Sequence, residues 1–103
     1  MKQKPLRITV VLSAVIFMWI SGVSLAADYR PAMLANPCAG CHGTDGASPG
    51  SIPSIKGMPG DYLVSTMKAF KSGKRKGTVM NRIARGYTDE EIELMAKHFS
   101  SAK

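Results

Sequence analysis

With 103 residues, two cysteines, two histidines and a net charge of +7, the chain has room for one compact domain and excludes a second. Its aromatic residues are one Trp, three Tyr and three Phe. That is too few to furnish the stacking platforms that accompany basic charge on nucleic-acid surfaces.

The N-terminus carries Lys2, Lys4 and Arg7, then the apolar run Ile8 to Ile20, then the small-residue stretch Ser21 to Ala27. That order predicts a cleaved secretory signal peptide over residues 1–26, because Ser24 and Ala26, three residues and one residue before a cut between Ala26 and Ala27, are small enough for the peptidase pockets. An uncleaved membrane anchor is the alternative, since the apolar run approaches the roughly 20 residues of a spanning helix. No basic stop-transfer cluster follows the run, and the expectation is therefore a periplasmic protein with no stable membrane anchor after cleavage.

Removing 26 of 103 residues leaves 77, and takes three of the 14 basic residues and none of the seven acidic ones, so residues 27–103 carry +4. A domain of this size buries little apolar surface and needs a staple such as a disulfide or a metal. Tyr29 to Ala35 reads as a short helix ending before Asn36-Pro37, since a residue preceding proline is pushed out of helical geometry. Cys38-Ala39-Gly40-Cys41-His42 follows at once.

This pentapeptide is the sequence form of covalent haem attachment. At about 100° per residue its two sulfurs and its imidazole fall within roughly a 100° arc of one helical turn, so all three address one ligand. The predicted cofactor is thus one covalently bound haem c, joined at Cys38 and Cys41, with His42 on the iron. The same cysteines could instead form a thioredoxin-like dithiol, which calls for a larger strand and helix scaffold, or half of a zinc site, for which only His98 remains as a further nitrogen ligand.

Gly43 to Gly60 is dense in Gly, Pro and Ser and predicts a loop anchored by Ile52, Ile55 and Met58. Within it, the Pro53 carbonyl is expected to accept the second ring N–H of His42, as the partners of ligating imidazoles do, and Ile55 to pack on the haem. Asp61 is expected to cap a helix running to Ser72, with Leu63, Thr66, Met67 and Phe70 on its inner face and Gly73 as its stop. The basic stretch Lys68, Lys71, Lys74, Arg75 and Lys76 is either a solvated face or a docking patch for an acidic redox partner.

The segment around Met80 is expected to be irregular, before an apolar patch at Ile83 and Ala84. Met80 is the favoured sixth ligand, lying beyond a whole helix from His42 and outside any helical stripe; Met58 and His98 are the alternatives. Met33, Met67 and Met95 are expected in the core. A last helix begins at Thr88, where Glu91 completes a capping box and Ile92, Met95, Ala96 and Phe99 form a buried stripe. No strand alternation is present, and the fold class is all-α.

Taken together, the leader, Cys38 to Gly43, Pro53 to Gly57, Met80 and the closing helix resemble a class I cytochrome c over essentially all of residues 27–103. The stretches Cys38 to Gly46, Phe70 to Gly73 and Met80 to Tyr87 are most similar to the cytochrome subunit of flavocytochrome c sulfide dehydrogenase. The resemblance implies three to four helices with Gly- and Pro-rich loops around one haem, and axial ligation by His42 and Met80. It also implies a chain that is no enzyme by itself: it would take electrons from a flavoprotein subunit that oxidises sulfide and pass them to a downstream acceptor. Some members of that family have two haem domains, whereas this chain has one attachment motif. A freely diffusing periplasmic carrier and a thiol-disulfide protein are the competing readings.

Overall fold

The computed structural model describes residues 28–103. The leader and its cut site lie outside the described residues. Among the described residues every regular element is helical, in keeping with the all-α expectation. They are α1 (Arg30–Ala35), a 3-10 turn (Asn36–Cys38), α2 (Ala39–His42), a second 3-10 turn (Thr44–Gly46), α3 (Gly60–Ser72), α4 (Met80–Ala84) and α5 (Asp89–Ser101).

The chain does not leave helical geometry before Pro37. Asn36 keeps φ −55° and ψ −42°, and the backbone tightens into the 3-10 turn, where the Ala39 N–H reaches the Asn36 carbonyl. Proline lacks only a donor at that place, so a change of winding absorbs it and α1 runs on into the cysteine turn. The start of α3 also differs from expectation. Pro59 occupies the cap position with extended ψ of 133°, and Asp61 lies inside the first turn, accepting the Tyr62 N–H at 2.9 Å. There its charge still faces the positive end of the helix. Gly73, left-handed at φ 81°, closes α3.

α5 begins as its sequence requires. The Glu91 N–H donates to Thr88 Oγ1 at 3.2 Å and the Thr88 N–H to Glu91 Oε2 at 2.9 Å, so both halves of the capping box are made. Its buried stripe is Ile92, Met95, Ala96 and Phe99. α1 and α3 both pack on α5, and α4 packs on α3. Ala35, Leu63, Ala96 and Phe99 form the central cluster, with Cys38, Ile55, Met58 and Val64 laid against it. On the α3 stripe only Leu63 is buried; Thr66, Met67 and Phe70 are half-buried. Met33, expected in the core, is 73% exposed. It stands two residues from Ala35, about 200° around the helix, so seating Ala35 on α5 turns Met33 to solvent.

Exposed ion pairs tie the helices. Arg30 meets Glu90 at 2.9 Å between α1 and α5, and Lys71 meets Asp89 at 2.9 Å between α3 and α5, with Lys68 3.4 Å from Glu93. The hydrogen bond from Lys71, then its charge, holds the Asp89 carboxyl below the usual carboxylate range. A depressed folded value means the pair stabilises above the unfolded pKa of about 4 and loses that contribution as pH falls through the folded one. Wild type should therefore melt higher than Lys71→Met at neutral pH, with the gap closing in acid as the Asp89 carboxylate takes up its proton. Thermal melts of both proteins at the two pH values check this; a gap of constant size would show that the pair adds nothing that titrates.

Candidate functional site

α1 enters the cysteine turn without a break, so α2 inherits its position from the packing of α1 on α5. Cys38 is half-buried against the central cluster, whereas Cys41 is exposed, and neither is in a disulfide. Burial pushes the Cys38 thiol up from its ordinary value. Burial also raises the Tyr87 phenol, with the charges of Cys38 and Glu91 adding to it.

His42 closes α2, and its Nδ1–H donates to the Pro53 carbonyl oxygen at 2.6 Å. A carbonyl can only accept, so Nδ1 carries a proton, and in the neutral form of the ring the lone pair is then on Nε2. That is the nitrogen a metal would use. The loop reaches His42 because it folds back at Gly46, whose carbonyl takes the Ile55 N–H at 2.9 Å, the Lys56 N–H at 3.1 Å and the Ser54 hydroxyl at 2.9 Å. Gly46 is required there. Its φ is +78°, and a Cβ would stand 2.7 Å from Ile55 Cγ1 and 3.0 Å from Phe99 Cδ1. Ile55 itself is half-buried on the core cluster.

Cys38, Cys41, His42 and Pro53 are thus brought together by two adjoining segments. Met80 stands on a separate element: it opens α4, where an irregular segment was expected, and is half-buried. Its immediate neighbour is Gly77, at which a Cβ would lie 3.4 Å from Met80 Cβ and 2.8 Å from Phe70 Cε1, so only glycine admits this close approach of the loop to the ring. Of the alternatives to Met80, Met58 is engaged in the core cluster, and His98 lies half-buried on α5, edge-on to Phe99 at 5.2 Å.

The basic stretch is divided by the fold. Lys68 and Lys71 face the carboxylates of α5, Arg75 lies over the Phe70 ring at 5.1 Å, and Lys74 and Lys76 are exposed without a carboxylate partner among the described residues. Any docking charge is therefore concentrated on the loop after Gly73. Asn81 is a site residue that the sequence reading passed over; its side chain spans the same loop.

These residues fit a haem. Two thiols and an imidazole with a free Nε2 converge from one turn, and among the described residues no three His, Cys, Asp or Glu side chains gather as a metal cluster of another kind. Ile52, Val79 and Ile83, which lie near Pro53 and Met80 in sequence, leave apolar surface exposed.

The family model described as Cytochrome c matches residues 31–103. A protein of Chlorobaculum tepidum named cytochrome subunit of sulfide dehydrogenase is 49% identical over 74 residues, covering 72% of this chain and 67% of that one. Cytochrome c-554(548) of Halomonas halodenitrificans is 41% identical over 68 residues, covering 62% of this chain and 82% of that protein. A thiosulfate dehydrogenase electron acceptor of Stutzerimonas stutzeri is 34% identical over 68 residues, covering 62% of this chain and 32% of that protein.

Proposed function

This chain belongs to the cytochrome c family, whose members carry covalent haem c and transfer electrons rather than catalyse, and on that premise we propose that it is the monohaem cytochrome subunit of a flavoprotein sulfide dehydrogenase. Bound haem supplies a one-electron iron couple. Cys38 and Cys41 would hold it as thioethers, and His42 would ligate through Nε2. Pro53 fixes the imidazole ring and leaves its lone pair free, and Ile55 supports the loop that brings Pro53 there. Met80 would supply the second iron ligand, and a thioether in that role would raise the potential and leave no open position for substrate chemistry. The observation that carries this reading is the 2.6 Å bond from His42 Nδ1 to the Pro53 oxygen, because it presets one ring nitrogen for a metal on the same turn as the two thiols.

The partner reading rests on the relative named as a sulfide dehydrogenase subunit and on the stretches quoted for that resemblance. The chain would be exported, lose residues 1–26, and work in the periplasm between a flavoprotein subunit and a downstream acceptor. A stable complex buries about 800 Å² on each partner. Purified from its own cells by an affinity tag, the protein is expected to bring down a flavin-bearing polypeptide in equal amount and to be reduced when sulfide is added. Elution alone at monomer mass, with no reduction by sulfide, would replace the subunit reading with a freely diffusing carrier. Exposed Lys74 and Lys76, and relatives named simply as cytochromes, are what favour that second reading.

A further inference from the structure

Asn81 directly follows Met80, and the three hydrogen bonds of its side chain tie together the loop that leads into α4. Its Oδ1 accepts the Gly77 N–H at 2.8 Å, while Nδ2 donates to the Phe70 carbonyl at 2.8 Å and to the Arg75 carbonyl at 2.7 Å. One amide therefore binds the last turn of α3, the middle of the loop and the residue three before Met80. Both N–H groups are used, and only an amide supplies two donors and an acceptor at this reach. The Asn81 backbone is held as well, since Arg85 Nε donates to its carbonyl at 2.9 Å.

Apolar contacts support the same loop. Arg75 lies over the Phe70 ring at 5.1 Å, and Gly77 backbone meets the edge of that ring. The loop has otherwise few ties: the Gly73 N–H returns to Phe70 and the Arg75 N–H to Ala69, while Lys74, Lys76, Thr78 and Val79 are exposed. A five-residue helix such as α4 is too short to hold its own first residue in place. The packing of α4 on α3, with Ala84 buried, holds the far end of this helix, and the bonds of Asn81 hold the end that begins with Met80.

We propose that Asn81 is a positioning residue for the sixth ligand: by clamping the loop from Gly73 to Thr78 onto the end of α3, it holds the Met80 thioether at the iron and sets how readily another ligand replaces it. This deepens the proposed function and rests on Met80 as the axial ligand. Asn81→Asp preserves shape and the bond from Gly77 but sets a carboxylate against two carbonyl oxygens, and Asn81→Leu removes all three bonds.

The experiment is a titration of the ferric holoprotein with imidazole, following the methionine-to-iron absorption band. Both variants should bind imidazole at least about tenfold more tightly than wild type while keeping covalent haem and far-ultraviolet helicity, whereas Asn81→Gln, which keeps the amide, should fall between. A folded, haem-bearing Asn81→Asp or Asn81→Leu protein with wild-type imidazole affinity overturns the clamp. Should neither variant mature, hydrogen exchange on the wild type decides. The Gly77 amide is expected to be protected, and exchange at the rate of an open loop overturns the proposal. Met80→Ala separates the two ideas: a band that survives this substitution removes the ligand reading itself, whereas a band lost there but indifferent to Asn81 removes only the clamp.

Discussion

Replacing both Cys38 and Cys41 with alanine should yield a chain that retains no haem through acid-acetone extraction and has lost its helical far-ultraviolet signal. The reason lies in the core. Among the described residues the buried apolar side chains are Ala35, Leu63, Ala84, Ile92, Met95, Ala96 and Phe99, and three of those seven are alanines. Burial of a larger aliphatic or aromatic side chain contributes about 1.5–3 kcal/mol, so four such residues give too little to offset the ordering of a domain this size. A covalently held apolar disc supplies the missing surface. The single variants should differ. Cys38→Ala also removes a side chain packed on the central cluster and should be the less stable, whereas Cys41, which is exposed, gives up only its thioether. Extraction, circular dichroism and thermal melting of the three variants check this. A double variant that melts cooperatively near the wild-type temperature would mean that the polypeptide alone carries the fold.

Met80→Ala should leave the haem attached, abolish the methionine-to-iron band, and lower the reduction potential by on the order of 0.2–0.3 V, out of the roughly 0.8 V over which axial ligands tune haem proteins. The direction follows from the thioether, a weak donor that favours the reduced metal. The new open position should also bind cyanide or imidazole readily. Met58→Ala serves as the comparison. That side chain belongs to the core cluster, so its loss should cost stability by the cavity it leaves, about 2–5 kcal/mol for a buried site and less here because Met58 is only half-buried, without moving the potential. Voltammetry and the visible spectrum of the two variants separate these roles. A band that vanished with Met58 and survived without Met80 would exchange them.

The parts legible in the sequence are those whose physics is local. The arc of Cys38, Cys41 and His42 follows from helical periodicity alone, and Thr88 with Glu91 declares the start of α5 because both partners of the capping box lie within one turn. Gly73 as the end of α3 is equally local, since few other residues enter the left-handed region without strain. What escaped reading depends on segments meeting across the fold. Met33 faces solvent because α5 claims Ala35, and nothing in the sequence of α1 says which of its sides will be taken. Asn36 stays helical before proline because a tighter turn was available, a choice the dipeptide preference does not record. Pro59 displaces Asp61 from the cap because the loop arrives extended. Asn81 was illegible for the same reason: its partners lie four, six and 11 residues back, and a lone asparagine at the head of a short helix carries no pattern.

The seating of α1 on α5 joins the first described helix to the last. Arg30 and Glu90, which bridge these helices, are 60 residues apart, and Ala35 shares its buried cluster with Ala96 and Phe99 of α5. Closing so long a loop costs entropy before any contact repays it. The segment bearing Cys38 and Cys41 is therefore expected to stay open until α5 has formed, which would leave both sulfurs accessible for thioether formation. A product truncated ahead of Phe99 would keep both sulfurs reachable yet lack the surface against which the first helix locks.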